Sequence, residues 1–343
     1  MKSLVSINGR YVVHRVTGMQ RYATEVRKRL GENTELISPS SAAKGISGHL
    51  WEQLTLPYRF SGRVLWSPCN TGPLAVARQV VTIHDIFPID HPEWFARQFV
   101  LLYSQVIPLL LKRVEHLIAV SAYTKARLVR RFRLDPDKVT VIHNGVDAKF
   151  RPRSASDIKA TRDRLGLGGG KYVLSVCSLE PRKNLNRLLE AWQIISAAHP
   201  ETKLVIAGAK GRPGVFHQVD LSINPKNVIF SDYVPEEDLP ALYAGAECFA
   251  YPSLDEGFGL PVLEALACGT AVVASNRGSI SDLVGSHATL IDPLSPTEIA
   301  NAIRSKLEDS PKGGQEAARH AHAQQFTWER CATTTRNLLL SFC

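Results

Sequence analysis

The chain alternates short, almost continuously apolar runs with longer segments whose apolar positions recur every three or four residues. In the first half, runs at 4–7, 35–38, 63–67, 79–85, 116–121 and 138–145 predict strands. After Gly18, Met19, Tyr22, Val26 and Leu30 fall at helical spacing. Residues 150–170 break the rhythm with a proline and serine stretch, a short charged helix and three consecutive glycines, the pattern of an interdomain connection. A second series of strands follows at 171–177, 203–208, 227–232, 248–253 and 270–275, and a helical pattern from Phe326 carries Trp328 and Cys331 on one side. Strands that are apolar on both faces and alternate with helices belong to parallel sheets covered on both sides. The expected fold is therefore α/β, with two doubly wound, Rossmann-like domains facing across a cleft. The loops after residues 85, 177, 208, 232 and 253 are expected to line it.

Length and composition agree with two globular domains: 343 residues, 44% hydrophobic and 21% charged. Cys69, Cys177, Cys248, Cys268, Cys331 and Cys343 are scattered without a Cys-x-x-Cys pair, which suits a reducing compartment and offers no metal cluster. The opening apolar run breaks at Asn8 and Gly9, too early for a secretory signal, so a cytoplasmic protein is expected. The net charge of +9 is uneven: residues 1–150 carry 21 Lys and Arg against 11 Asp and Glu, and the remainder is nearly balanced. A basic half suits nucleic acid, anionic lipid or an anionic substrate, and a merely solvated basic surface would read the same way. Residues 99–120 are the most apolar stretch. Pro108, Lys112, Arg113, Glu115 and His116 interrupt it before the ~20 residues a bilayer requires. Trp94, Phe95 and Phe99 before it, and the basic segment 125–133 after it, form a mix suited to an anionic membrane surface.

The segment richest in chemistry is 251–276. Gly257 and Gly259 flank Phe258 and allow a backbone to pass close to a ligand. Pro261 suits the first turn of a helix beginning about Leu260, and Gly269 a left-handed end. The N–H groups at that helix start offer a diphosphate site. Glu256 and Glu264 bracket it, and carboxylates there would accept hydrogen bonds from the hydroxyls of a sugar and a ribose. Arg182 and Lys183 follow the second domain's first strand, where two cations can clamp a diphosphate; Asn184 is expected to cap the following helix. A surface basic pair would look no different. His84 ends a strand, and Gly18 opens a helix after the first strand. Gly208 begins a Gly-Ala-Lys-Gly segment that suits either a phosphate or a plain turn. Asp135 and Asp137 have metal-pair spacing but read as a turn before a strand, and no metal site is expected.

Residues 251–276, together with EPRKN at 180–184, resemble the retaining glycosyltransferases of family 4, which have the GT-B architecture. The resemblance extends through residues 17–25, 84–88, 120–125, 141–147 and 233–246 and covers nearly the whole chain. It implies that Glu256 lies near the donor sugar and Glu264 at the nucleotide ribose, with Arg182 and Lys183 as the pyrophosphate pair. His84 would sit beside the transferred sugar, Gly18 in a loop approaching donor and acceptor, and Tyr233 and Val234 near the base. It further implies catalysis without a metal or other cofactor, retention at the anomeric carbon, and front-face attack with no side-chain nucleophile. Relatives have two adjacent glycines in the opening loop where this chain has Thr17 and Gly18. The expected division is an acceptor domain over 1–165, a donor domain over 166–325, and a last helix, 326–343, packed back on the first domain.

Among such enzymes the wording of the motifs is most similar to bacterial mannosyl- and rhamnosyltransferases of lipopolysaccharide, capsule or exopolysaccharide synthesis. That implies GDP-mannose or a related nucleotide-sugar donor and a polyprenyl-diphosphate-linked glycan acceptor. A peripheral place on the cytoplasmic face of the inner membrane follows from it, with the N-terminal domain against anionic lipid. A UDP-sugar donor and a sugar-nucleotide epimerase share the argument. A nucleic-acid-binding protein ranks below both, because no reader module is recognisable.

Overall fold

The computed structural model describes residues 4–14, 16–40, 45–208, 215–216, 225–231, 234–308 and 314–343. Two compact units emerge. One holds the chain up to Pro92 with Arg97–Gly145 and Phe326–Cys343; the other holds Glu93–Ala96 and Val146–Gln325.

Among the described residues the first unit is built on six parallel strands: β1 (Val5–Asn8), β2 (Thr34–Ile37), β3 (Val64–Ser67), β4 (Gln79–Ile83), β5 (His116–Ala119) and β6 (Val139–Val141). Their order is β2-β1-β3-β4-β5-β6, with Ile7 registered between Leu36 and Trp66. Ile7, Leu65, Trp66, Val80, Leu117 and Ile118 have no exposed surface. Central strands buried on both faces account for the unbroken apolar runs, and each large side chain contributes about 1.5–3 kcal/mol of burial. The helix Gly18–Arg29 buries Tyr22, Ala23 and Val26, as its spacing predicts. Thr17 stands at its N-cap, where the Gln20 Oε1 accepts from the Thr17 N–H at 3.2 Å and from its hydroxyl. Thr17 thus closes the helix start. The last helix, Trp328–Leu340, packs on Gly18–Arg29, and Arg29 meets Glu329 at 2.8 Å. Gly145 makes this approach possible, because a Cβ there would stand 2.2 Å from the Trp328 nitrogen.

The second unit carries β7 (Tyr172–Val176), β8 (Lys203–Ala207), β9 (Val228–Ser231), β10 (Cys248–Tyr251), β11 (Val272–Ser275) and β12 (Thr289–Ile291). All are parallel, in the order β12-β11-β10-β7-β8-β9. The strand β12 has no counterpart in the predicted runs; it is three residues long and only Ile291 is buried. The chain passes between units at Gly145 and Val146 rather than at 165, because the helix Ala155–Arg164 packs on Leu239–Ala244 and Arg164 pairs with Asp238.

One expectation about the surface needs correction. Trp94 and Phe95 are buried, and Phe95 packs on Phe216 with ring centroids 5.1 Å apart while the Ala96 N–H bonds the Val215 carbonyl. These aromatic rings are committed to the second unit's packing and are withdrawn from any membrane face. The helix Arg97–Arg113 with Pro108 inside it is followed by β5, as predicted, and leaves Leu101 and Leu109 exposed. Among the described residues no helix is long and apolar enough to cross a membrane.

Candidate functional site

In each sheet the strand order reverses once. In the second it does so between β7 and β10, whose following loops leave in opposite directions and open a hollow at the strands' carboxyl ends. Glu180, Arg182, Lys183 and Glu256 gather there. After β7 the chain makes a 3-10 turn, Pro181–Lys183, and Asn184 takes a left-handed conformation at φ 58° before the helix Leu185–Ala198. Asn184 does not cap that helix. Its amide donates to the carbonyls of Pro252 at 2.9 Å and Pro293 at 2.7 Å, tying the loop after β7 to the loops after β10 and β12. The Leu254 N–H adds a bond to the Arg182 carbonyl at 2.8 Å.

The loop after β10 brings Glu256 into contact with both cations. Lys183 Nζ donates to Glu256 Oε1 and to the Tyr251 hydroxyl, each at 2.6 Å, and Arg182 donates to Glu256 Oε2. The other arm of Arg182 reaches Glu180 at 2.6 Å. Glu256 and Lys183 are 6% and 8% exposed, so this is an interior ion cluster of two cations and two carboxylates. Burial alone would raise the Glu256 pKa. The Arg182 and Lys183 charges outweigh it and hold the carboxyl down, to about 2, while burial and then Glu256 push the Tyr251 phenol up. The phenol therefore keeps its proton, accepts from Lys183 and donates to Glu256.

The backbone that presents Glu256 is pinned. Ser279 donates from its N–H and its hydroxyl to the Glu256 carbonyl, both at 3.0 Å, and the hydroxyl also lies 2.9 Å from the Phe258 carbonyl. Gly278, at φ 70°, lets the chain pass, since a Cβ would stand 2.6 Å from the Glu256 nitrogen. Gly259, at φ 102°, precedes the helix Leu260–Ala267, with Pro261 in its first turn, Gly269 left-handed beyond its end, and Gly257 and Phe258 buried in the loop. Glu264, on that helix, accepts from the Tyr243 hydroxyl at 3.0 Å and is 5% exposed.

Glu256, Arg182 and Lys183 thus form one cluster, with Gly257, Phe258, Gly259 and Leu260 in the segment that leads from it to Glu264. Gly208 ends β8 at φ 147°, against the Cys177 carbonyl, which a Cβ would overlap at 1.8 Å; close packing of two strand ends requires a glycine here. Val234 is buried in the same unit, whereas Tyr233 lies outside the described residues. His84 and Gly18 belong to the first unit. Gly18 is exposed at the first position of its helix. His84 is buried, its Nε2 lies 2.9 Å from the Pro68 carbonyl, and its N–H bonds Asn70 Oδ1 at 2.7 Å. A carbonyl only accepts, so the ring hydrogen sits on Nε2 and Nδ1 is the accepting nitrogen. Burial lowers the His84 pKa to about 4, more than the Pro68 bond raises it, and the ring is neutral near pH 7. Asp135 accepts from the Asp137 N–H at 2.9 Å at the start of a 3-10 turn. Glu180, Tyr251, Tyr243 and Ser279 carry no role in the sequence reading. Glu180 was within reach of it, being the first residue of EPRKN.

Residues 157–324 match the sequence profile described as glycosyl transferases group 1, and residues 61–150 that of glycosyltransferase family 4. The chain is similar to O-antigen chain mannosyltransferase B of Escherichia coli, 32% identical over 272 residues, 77% of this chain and 71% of the relative. It is similar to O-antigen chain mannosyltransferase RfbU of Salmonella typhimurium strain LT2, 26% identical over 264 residues, 76% of this chain and 69% of the relative. Serotype-specific mannosyltransferase WbdA of Escherichia coli is 27% identical over 269 residues, and there the match spans only 32% of the relative's length. Among solved structures, Anabaena HepE in complex with UDP and glucose superposes with a TM-score of 0.77 at 20% identity, over 99% of this chain and all of that one. WaaG, a glycosyltransferase involved in lipopolysaccharide biosynthesis, gives 0.74 at 15% identity, over 98% of this chain and 99% of that one. At such identities the two structures speak for the fold, which is GT-B.

Proposed function

The chain belongs to the glycosyl transferases group 1 and is a glycosyltransferase, and from that premise we propose that it transfers mannose from GDP-mannose, with retention, to a polyprenyl-diphosphate-linked glycan of a bacterial surface polysaccharide. The O-antigen mannosyltransferases among its relatives support the sugar and the product class. The observation that carries the reading is the buried Glu256–Arg182–Lys183 cluster at the second sheet's reversal point.

Without ligand, the cluster's charges cancel internally. A donor diphosphate would take over the Arg182 and Lys183 hydrogen bonds, and Glu256, thereby released, would accept from hydroxyls of the donor sugar. The bond between the anomeric carbon and the phosphate oxygen then breaks with its electron pair on that oxygen, where the two cations stabilise the growing charge. The acceptor oxygen bonds to the same face of the anomeric carbon and passes its proton to the departing phosphate. Glu256, held ionised by its neighbours, has no proton to give in this scheme, and no metal or side-chain nucleophile is required. Glu264, oriented by Tyr243, serves the ribose. His84, neutral, offers Nδ1 to a sugar hydroxyl. Peripheral membrane contact falls to the exposed Leu101 and Leu109 with the exposed Lys112, Arg113, Arg131 and Arg133, which suit anionic lipid on the cytoplasmic face.

Calorimetric titration with GDP, UDP, ADP and dTDP, with and without magnesium, tests the donor. Metal-independent preference for GDP is expected; preference for UDP overturns the mannose donor, and binding of none overturns the transferase mechanism. NMR of the product formed from GDP-mannose decides between retention and inversion, and turnover without any acceptor would favour an epimerase.

A further inference from the structure

The first sheet also reverses once, between β1 and β3, and at that point too the structure holds an interior cluster of charge. Glu52 is 1% exposed. Its Oε1 accepts from Asn8 at 2.7 Å and from Thr71 at 3.1 Å and pairs ionically with Arg10 Nε at 3.2 Å. Arg10 continues to the Thr71 hydroxyl at 2.7 Å and His49 Nε2 at 3.1 Å, and it shares a hydrogen bond with Tyr103. Arginine only donates, so His49 Nε2 accepts and Nδ1 carries the hydrogen, 3.8 Å from Glu52 Oε2. That second carboxylate oxygen is buried and has no hydrogen-bond partner among the described residues. Thr71 adjoins Asn70, whose side chain holds the His84 N–H, so the cluster is continuous with the strand end bearing His84.

Such a cluster is an expensive way to hold a helix. Buried ion pairs repay their desolvation poorly, and apolar side chains would fix the same elements as well or better. Glu52 also lies in a π-helical turn, Trp51–Thr55, between the helices Ile46–Leu50 and Leu56–Arg59, a distortion that recurs at functional sites. Toward the surface the Arg10 and His49 side chains keep 12% and 17% exposure, and Tyr103, half-buried and stacked on Phe99 at 4.1 Å, lies edge-on to His49. A carboxylate oxygen in want of a donor, a guanidinium, an imidazole and an aromatic edge together match hydroxyl groups on an apolar ring. The charges cancel within the cluster, which argues against an anion.

We propose that the Arg10–His49–Glu52–Tyr103 cluster binds the terminal neutral sugar of the acceptor glycan. This rests on the glycosyl-transfer reading and deepens it by naming an acceptor subsite. Ligand-observed NMR with the methyl glycosides of mannose, rhamnose, glucose, galactose and N-acetylglucosamine tests it, with inorganic phosphate as the anionic probe. At least one glycoside should bind the full chain, about 10-fold more weakly to Tyr103→Phe and His49→Gln, which keep most of the packing, and undiminished to Lys183→Ala. Glu52→Gln should abolish binding, and thermal melting shows whether that variant is folded. The subsite is overturned if no glycoside binds, if both milder variants bind as the parent does, or if phosphate displaces the glycoside. Glycoside binding that follows this pattern in a protein that transfers sugar from no nucleotide donor would instead overturn the transferase mechanism and leave the subsite standing.

Discussion

Replacing Glu256 by Gln removes one negative charge from an interior cluster and leaves its volume unchanged. The carboxyl's pKa falls from 4.5 to about 2 because Arg182 and Lys183 outweigh the cost of its burial. That shift corresponds to roughly 3 kcal/mol of stabilisation by the ionised form near pH 7. A carboxylate whose folded pKa is depressed contributes fully above its unfolded pKa, and the contribution disappears as pH falls through the folded pKa. The gap between the parent and Glu256→Gln should therefore be about 3 kcal/mol at pH 7 and should lose more than half its size by about pH 3. Two units need not unfold together, so urea titration should be read by hydrogen exchange in peptides covering β7 and β10. Glu256→Gln should also bind GDP no more weakly than the parent, since the carboxylate that competes with the diphosphate is gone. Turnover should fall on the order of 100-fold, because the lost contact is worth most in the transition state. A pH-independent gap, or nucleotide affinity and turnover falling in parallel, would refute the internal neutralisation argued from these distances.

Lys183→Ala should weaken GDP binding about 10-fold or more in calorimetry and lower turnover further, as it removes a buried charged contact. Gly278→Ala should cost roughly 1–3 kcal/mol in melting experiments and depress turnover more than stability predicts, because its Cβ displaces the Glu256 backbone. His84, lowered to about 4 by burial, contributes stability above about pH 6.5 that is lost as pH falls toward 4. His84→Asn should flatten that part of the stability curve while leaving no inflection in the activity profile near pH 6.5. Tyr243→Phe should cost about 1 kcal/mol in denaturant unfolding by removing the hydroxyl that donates to Glu264 at 3.0 Å, and should weaken nucleotide binding.

Of the twelve strands among the described residues, eleven were legible as apolar runs, most of them because strands buried on both faces need no alternation. Thr289–Ile291 was not, since three residues with only Ile291 buried leave no run to detect. The cluster of the second unit was legible for a different reason: Arg182, Lys183 and Glu256 lie in two short segments at strand ends, with Glu264 on the helix after the second. Asn184 misled, because a side chain placed to cap a helix was drawn away by two carbonyls from distant loops. Trp94 and Phe95 misled likewise, since a local aromatic and basic mix does not disclose that Phe216 covers one of them. The Arg10–Glu52 cluster was illegible, because its members come from four separate segments and meet only where the strand order reverses.

Both clusters are electrically closed before any ligand arrives. Two carboxylates answer Arg182 and Lys183, and Glu52 answers Arg10. The basic excess of the first 150 residues therefore lies elsewhere, on exposed side chains such as Lys112, Arg113, Arg130, Arg131 and Arg133. Exposed charge is screened by salt over about 8–10 Å, whereas buried pairs are screened far less. Vesicle sedimentation should accordingly show binding to anionic bilayers that falls steeply between low and physiological salt. Glycoside binding over the same range should hardly change. Steep salt dependence of glycoside binding would place that ligand on the exposed basic surface and remove the division between an electrically closed site and an exposed basic face.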